Sequence, residues 1–191
     1  MKKTLIHFIV IAVCVFVFSP PVIADQSPPR EGAILPEINL ATPVKDSDRS
    51  YLGLPVSDLF KIPQINARVV LIEIFSMYCP HCQADAHTVN KLYNIIEDNP
   101  KLKDKVKLIG IGAGNSSYEV EVFAKTYDVP FPLFSDMDFS IHKILGEVRT
   151  PYFMGIKINN DGTHRVFYSK LGGVNNADKF LDMMLRLSGL K

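Results

Sequence analysis

The sequence predicts an α/β fold with a central mixed β-sheet flanked by helices on both faces. Three observations carry that reading. Arg68 to Phe75 is an almost continuous apolar, β-branched run, the pattern of a central strand buried on both faces. From Cys79 the apolar spacing switches abruptly to fours and threes, the spacing of a helix with one buried stripe. Near the C-terminus, Asp161-Gly162 separates two apolar runs, a strong hairpin signal.

The elements follow in order. Met1-Lys2-Lys3 is a short basic start, Leu5 to Phe18 an apolar run, and Val22-Ile23-Ala24 ends in a small residue. Basic, apolar, small is the order of a secretory signal peptide. The run of about 14 residues is short for a bilayer span, which needs about 20. Residues 1–24 are therefore read as a signal peptide with cleavage after Ala24; the alternative is an uncleaved N-terminal membrane anchor. Residues 25–33, rich in Pro, Ser and charge, read as a flexible leader, and residues 34–191 as one domain.

Leu35 to Leu40 and Ser50 to Leu54 read as short strands separated by the polar stretch Lys45 to Arg49. After the strand at 68–75 and the turn Ser76-Met77-Tyr78, a helix is expected from Cys79 to about Asp98. Its buried stripe would be Cys82, Ala86, Val89, Tyr93 and Ile96. Asn99-Pro100 stops it. Val106 to Ile111 is a second buried strand. Ser116 and Glu119 have capping-box spacing and open a helix to about Tyr127, with Val120, Phe123, Ala124 and Tyr127 inside. Phe131 to Phe134 is a short strand, and Phe139 to Leu145 a short helix ended by Gly146. Pro151 to Ile158 and Thr163 to Tyr168 form the hairpin. A final helix over Asn176 to Leu187 lines Phe180, Met184 and Leu187 along one face.

Charge and cysteine content narrow the function. The chain has 21 basic and 20 acidic residues, a formal net charge of +1. Removing residues 1–24 takes away Lys2 and Lys3 and no acid, so 19 basic residues face 20 acidic ones. That balance gives no reason to invoke nucleic acid. The same cut removes Cys14 and leaves only Cys79 and Cys82. A domain of this size buries enough surface to need no disulfide for stability, so the pair is available for chemistry.

Cys79-Pro80-His81-Cys82 lies where a buried strand turns into a helix. With Cys79 at the N-cap, Pro80 falls on the first helical position, where its missing N–H costs nothing. Residues i and i+3 then meet on one face at a separation a disulfide spans, roughly 4.4–6.8 Å between Cα atoms. The positive end of the helix favours a thiolate at Cys79. Cys82, one turn inside, is the expected resolving thiol. A zinc site needs four ligands, and no second pair of this kind exists. A structural disulfide closing so small a loop would add little stability. One acid, Glu73, interrupts the buried strand and is costly there without a purpose or a partner.

The chain resembles the thioredoxin superfamily, in particular the exported TlpA/ResA-like, or redoxin, thiol–disulfide oxidoreductases. The resemblance runs from about Leu35 to the C-terminus. It rests on Val69 to Phe75 leading into Cys79-Pro80-His81-Cys82, on Phe123 to Tyr127 in the next helix, and on Arg149-Thr150-Pro151-Tyr152-Phe153 before the hairpin. It implies a thioredoxin-like fold and disulfide exchange with protein thiols, together with a membrane or periplasmic redox partner, and it calls for no cofactor or metal. A monomer is expected, in the periplasm or another extracytoplasmic space. It further implies that Pro151 is a cis-proline facing the cysteine pair, with Thr150 on the same surface, and that Glu73 is a buried acid exchanging a proton with Cys82. Tyr78, Pro80 and His81 would complete the active-site surface. Tyr78 stands where thioredoxins usually carry Trp. The Pro-His dipeptide matches oxidising disulfide donors, whereas the layout, lacking a long helical insertion after the Cys helix, matches the reductase branch. The reductase direction is slightly favoured. The alternatives are an oxidising donor, a peroxiredoxin-like peroxidase compatible with Phe134 and Arg149, and a copper chaperone using the cysteines with His142.

Overall fold

The computed structural model of the protein describes residues 27–191, and the expected signal peptide over residues 1–24 lies outside them. Along the chain run β1 (Asn39–Ala41), α1 (Asp46–Leu52), β2 (Leu59–Lys61), a 3-10 turn (Ile62–Gln64), β3 (Val69–Phe75) and α2 (Pro80–Glu97). They are followed by β4 (Val106–Ala113), α3 (Ser117–Thr126), β5 (Leu133–Asp136), α4 (Ser140–Ile144), β6 (Tyr152–Ile158), β7 (His164–Leu171) and α5 (Ala177–Ser188). The main sheet has the order β5-β4-β3-β6-β7. β4 runs parallel to both β3 and β5, while β6 runs antiparallel to both β3 and β7. β1 and β2 form a separate antiparallel ribbon.

β3 is central and all seven of its residues are buried. Because successive side chains point to opposite faces, the strand feeds two cores. Val70, Ile72 and Ile74 pack with the N-terminal residues Leu35, Ile38, Leu52 and Phe60 and with Ile141 of α4. Val69 and Leu71 pack with Val89, Leu92 and Ile96 of α2 and with Phe180 and Met184 of α5. Burying one such aliphatic side chain contributes about 1.5–3 kcal/mol. Phe75 continues the second face, meeting Cys82, Ala86 and α3's Val120 and Phe123. Glu73, two residues from both Leu71 and Phe75, therefore points under α2.

Several expectations shift. Ser50 to Leu54 is the end of α1, not a strand, and the polar stretch before it is that helix's exposed face. Asp46 and Asp48 suit its first turn, and Gly53 at φ 63 ends it. Pairing in the first strand starts only at Asn39. β5 begins at Leu133, two residues late, because Pro132 has no N–H for the ladder; its carbonyl instead accepts from Gly110 N–H at 3.0 Å. On α2 Leu92 occupies the buried stripe and Tyr93 is half-buried, its ring against Tyr51 and Phe131. On α5 the stripe is Ala177, Phe180, Leu181, Met184 and Ser188, which leaves Leu187 about half exposed. At the end of the expected leader, Gly32 N–H donates to Val166 O at 2.7 Å and Val166 N–H to Ala33 O at 2.9 Å. These bonds cover part of the β7 edge.

Candidate active site

At the C-terminal end of β3 the chain turns through Ser76-Met77-Tyr78, closed by a hydrogen bond from Cys79 N–H to Ser76 O at 3.0 Å. Three side chains hold this turn. Asn115 Oδ1 accepts from Met77 N–H at 2.8 Å, Gln83 Nε2 donates to Met77 O at 2.7 Å, and Tyr78 OH donates to the Glu119 carboxylate. Glu119 also closes the capping box of α3 on Ser116, so the turn is tied to a helix start.

Cys79 is the N-cap of α2 and Pro80 its first residue. Cys79 Sγ accepts from Cys82 N–H at 3.4 Å and lies 3.4 Å from Thr150 O, to which its thiol can donate. Both cysteines are free thiols; Cys79 is partly exposed and Cys82 is buried. Burial alone would push the Cys79 thiol up. Hydrogen bonds from the Thr150 side chain, from the Cys82 and His81 amides and from the Cys82 thiol outweigh it, and its net shift is downward. Cys82 goes the other way: burial drives its thiol well above the ordinary range, and the negative charges of Glu73 and Cys79 add to the effect. Two thiols three residues apart are thus set for opposite tasks.

The Thr150–Pro151 peptide is cis. Pro151 O accepts from Gly172 N–H at 2.9 Å, fixing this segment to the end of β7. Beside it opens a hollow of about 640 Å³ bordered by His81, Asp85, Arg149, Thr150 and Pro151. On the other side of Thr150 lies a second hollow of about 470 Å³, bordered by Ser76, Tyr78, Phe139, His142 and Arg149. His81 and Tyr78 are exposed at the rim.

Glu73 is 4% exposed, and its side chain has no hydrogen bond or ion pair among the described residues. Burial raises its carboxyl to about 8, and the negative charges of Asp85 and Cys79 push the same way. A carboxyl titrating there can hold or accept a proton near neutrality. The structure therefore gathers Glu73, Tyr78, Cys79, Pro80, His81, Cys82, Thr150 and Pro151 around one strand end and one helix start.

Two residues of this constellation escaped the sequence reading. Asp85 sits one turn beyond Cys82, its Oδ2 accepting Val174 N–H at 2.7 Å; burial raises its carboxyl too. A side chain at Gly173 would stand 2.3 Å from Asp85 Oδ2, so only glycine permits that approach. The i, i+3 spacing from Cys82 was the available signal. Asn115, fully buried, left no comparable trace in the sequence. His142, considered above with the cysteines, pairs its Nε2 with Val148 O at 2.7 Å. Among the described residues no group of three or more His, Cys, Asp or Glu is placed to hold a metal ion.

This sheet order, with a dithiol at a helix start facing a cis-proline, defines a thioredoxin-like protein. The AhpC/TSA family model matches residues 56–168, more than half of the chain, and the chain belongs to that family. Thiol-disulfide oxidoreductase ResA from Bacillus thuringiensis subsp. konkukian is 27% identical over 103 residues, 53% of this chain and 55% of the relative; the Bacillus cereus ResA matches equally. The chain thus spans about half the length of the curated relatives it matches. Among solved structures, a hypothetical protein from Sinorhizobium meliloti superposes with a TM-score of 0.60 at 17% identity, covering 84% of this chain and 85% of that one. A secreted Mycobacterium tuberculosis disulfide oxidoreductase, described as homologous to E. coli DsbE, has a TM-score of 0.53 at 15% identity, covering 78% and 95%. Both similarities establish the fold.

Proposed function

We propose that this protein is an exported thiol–disulfide oxidoreductase that exchanges disulfides with cysteines of other proteins through Cys79 and Cys82, in the reductase direction. The observation that carries the proposal is the opposed setting of the two thiols: Cys79 lowered at the helix N-cap beside Thr150, and Cys82 buried and raised beside Glu73. The names of the ResA relatives agree with it. The short connection between α2 and β4, with no helical insertion, favours reduction. Export is supported by the basic, apolar, small order of residues 1–24. Among the described residues no helix is long and apolar enough to cross a membrane.

In the forward reaction the Cys79 thiolate attacks one sulfur of a substrate disulfide. That S–S bond breaks, the departing thiolate takes a proton, and Cys79 is left in a mixed disulfide. Glu73 carboxylate accepts the proton of the Cys82 thiol. Cys82 sulfur then attacks Cys79 Sγ and displaces the second substrate thiolate. Two electrons pass to the substrate and the protein keeps a Cys79–Cys82 disulfide. Tyr78, Pro80, His81, Thr150 and Pro151 form the surface that receives the substrate chain.

Replacing Cys82 with Ser should stop the reaction after the first step and accumulate mixed disulfides with partner proteins, visible as reducible adducts on non-reducing gels. The reduction potential of the wild-type couple should fall near the reductase end, about −270 mV, and not near the oxidising end at about −120 mV. Absence of adducts, with peroxide consumed by the dithiol instead, would overturn the assignment.

A further inference from the structure

We propose that Arg149 reads the charge of the substrate, selecting polypeptide segments that carry a carboxylate beside the reacting cysteine. This rests on the disulfide-exchange reading above and names a substrate class for it.

Arg149 immediately precedes Thr150, whose carbonyl lies 3.4 Å from Cys79 Sγ. It is exposed, and with Thr150 it is one of the two residues that border both hollows. A substrate chain seated in either hollow would lie against Arg149. Three other arginines are occupied: Arg49 bonds to Pro43 O and Val44 O, Arg165 to Gly32 O, and Arg186 pairs with Asp182 at 2.6 Å. The Arg30 and Arg68 side chains are unpartnered too among the described residues, but neither borders the hollows beside Cys79. Arg149 has no hydrogen bond or ion pair among the described residues.

The acids that border the first hollow and the Tyr78 turn are already engaged. Asp85, in the first hollow, accepts Val174 N–H, and Glu119 takes Tyr78 OH and the Ser116 amide. The second hollow has no carboxylate in its wall; Tyr78, Phe139 and His142 border it, with the Phe139 and His142 rings packed edge to face at 5.6 Å. Aromatic walls keep water from one side of an ion pair formed there and so strengthen it. Guanidinium is planar, permanently charged and suited to grip a carboxylate with two parallel hydrogen bonds. A free arginine placed one residue from the reaction centre, with no internal acid to neutralise it, fits an acidic partner segment and disfavours a basic one.

The test uses the reduced full-length protein and two symmetric peptide disulfides that differ only in Asp or Lys beside the cysteine. Loss of protein thiols under excess peptide gives each second-order rate constant. The wild type should prefer the Asp peptide roughly fivefold at low salt, the size of an exposed ion pair. The preference should shrink as ionic strength rises. R149K should keep its direction, R149Q should bring the ratio close to one, and R149E should invert it. A merely structural role for Arg149 would change both rates together and leave the ratio alone. Equal rates for the two wild-type reactions, or one unchanged ratio in R149Q and R149E, would overturn the proposal while leaving disulfide exchange intact. Reaction with neither peptide would overturn the exchange reading and this inference with it.

Discussion

Two neighbouring strands each bury one ionisable side chain, and the two are treated differently. Lys107 on β4 is 6% exposed and well partnered: its ammonium donates to Lys103 O, lies 3.6 Å from Glu97 Oε1, and sits over the Tyr51 ring at 4.2 Å from the centroid. Tyr51 in turn accepts Leu108 N–H at 2.8 Å and anchors α1 to the sheet. Glu73 on β3 is as deeply buried, yet no hydrogen bond or ion pair among the described residues meets its carboxyl. Burial disfavours its charge, and the negative charges of Asp85 and Cys79 push the same way. A buried charge that is partnered joins elements together. A buried carboxyl left without a partner instead keeps its proton to near neutrality, as the proposed exchange with Cys82 requires.

The sharpest break of this contrast is Glu73→Gln. The folded carboxyl titrates at about 8 against an ordinary value of 4.5. Because the folded pKa is the higher one, the stabilising proton is fully bound in both states below about pH 4.5. Stability falls as pH rises from about 4.5 through 8, by about 1.4 kcal/mol for each unit, roughly 5 kcal/mol in all, and levels off above that. The Gln variant should lack that slope. Urea unfolding of both proteins from pH 4 to 9 measures it; the amide adds only an offset that does not vary with pH. The variant should also resolve mixed disulfides slowly, without the rate increase near pH 8. Parallel stability curves for the two proteins would sink the assignment of Glu73 as an unpartnered acid.

Lys107→Met is the complementary test and a smaller effect. The substitution keeps the length of the side chain but leaves Glu97 and Lys103 O without their cation. Glu97 is 28% exposed and water recovers part of its solvation, so the cost is about 2 kcal/mol, below that of a fully buried pair. The unfolding midpoint should fall with an unchanged m-value, and the rate of disulfide exchange should not move. A loss of exchange with full stability would mean that the two buried groups are not separate in their roles.

The contrast was half visible before the structure. A lone acid inside Val69 to Phe75 stands out because everything around it is apolar, and the Cys79 N-cap follows from where the strand stops and Pro80 begins. Long elements with one consistent period, β3, α2 and the β6–β7 hairpin, were legible for the same reason. α1 was not, since only Leu52 of its seven residues is buried, too few to show a period. Lys107 escaped notice because a lysine near a strand end usually reaches solvent, and its partners Tyr51 and Glu97 come from elements distant in sequence. Asp85 and Asn115 act through a loop amide each, Val174 N–H and Met77 N–H, and such contacts between distant loops leave no local pattern.

Asp85→Asn probes the Glu73 side most gently. The amide oxygen of Asn can still accept Val174 N–H, so the change in stability should be about 1 kcal/mol or less. What disappears is a negative charge whose effect on Glu73 is to raise it, second only to burial. Glu73 should therefore titrate lower in the variant, while burial keeps it above the ordinary value. The pH at which wild-type stability falls should move down, and so should the pH at which Cys82 resolves a mixed disulfide. The two shifts must agree in direction, because one carboxyl sets both. A shift in the resolution profile without one in the unfolding profile would mean that Asp85 exchanges a proton with Cys82 itself, and the partnerless acid beneath the active site would then be a pair.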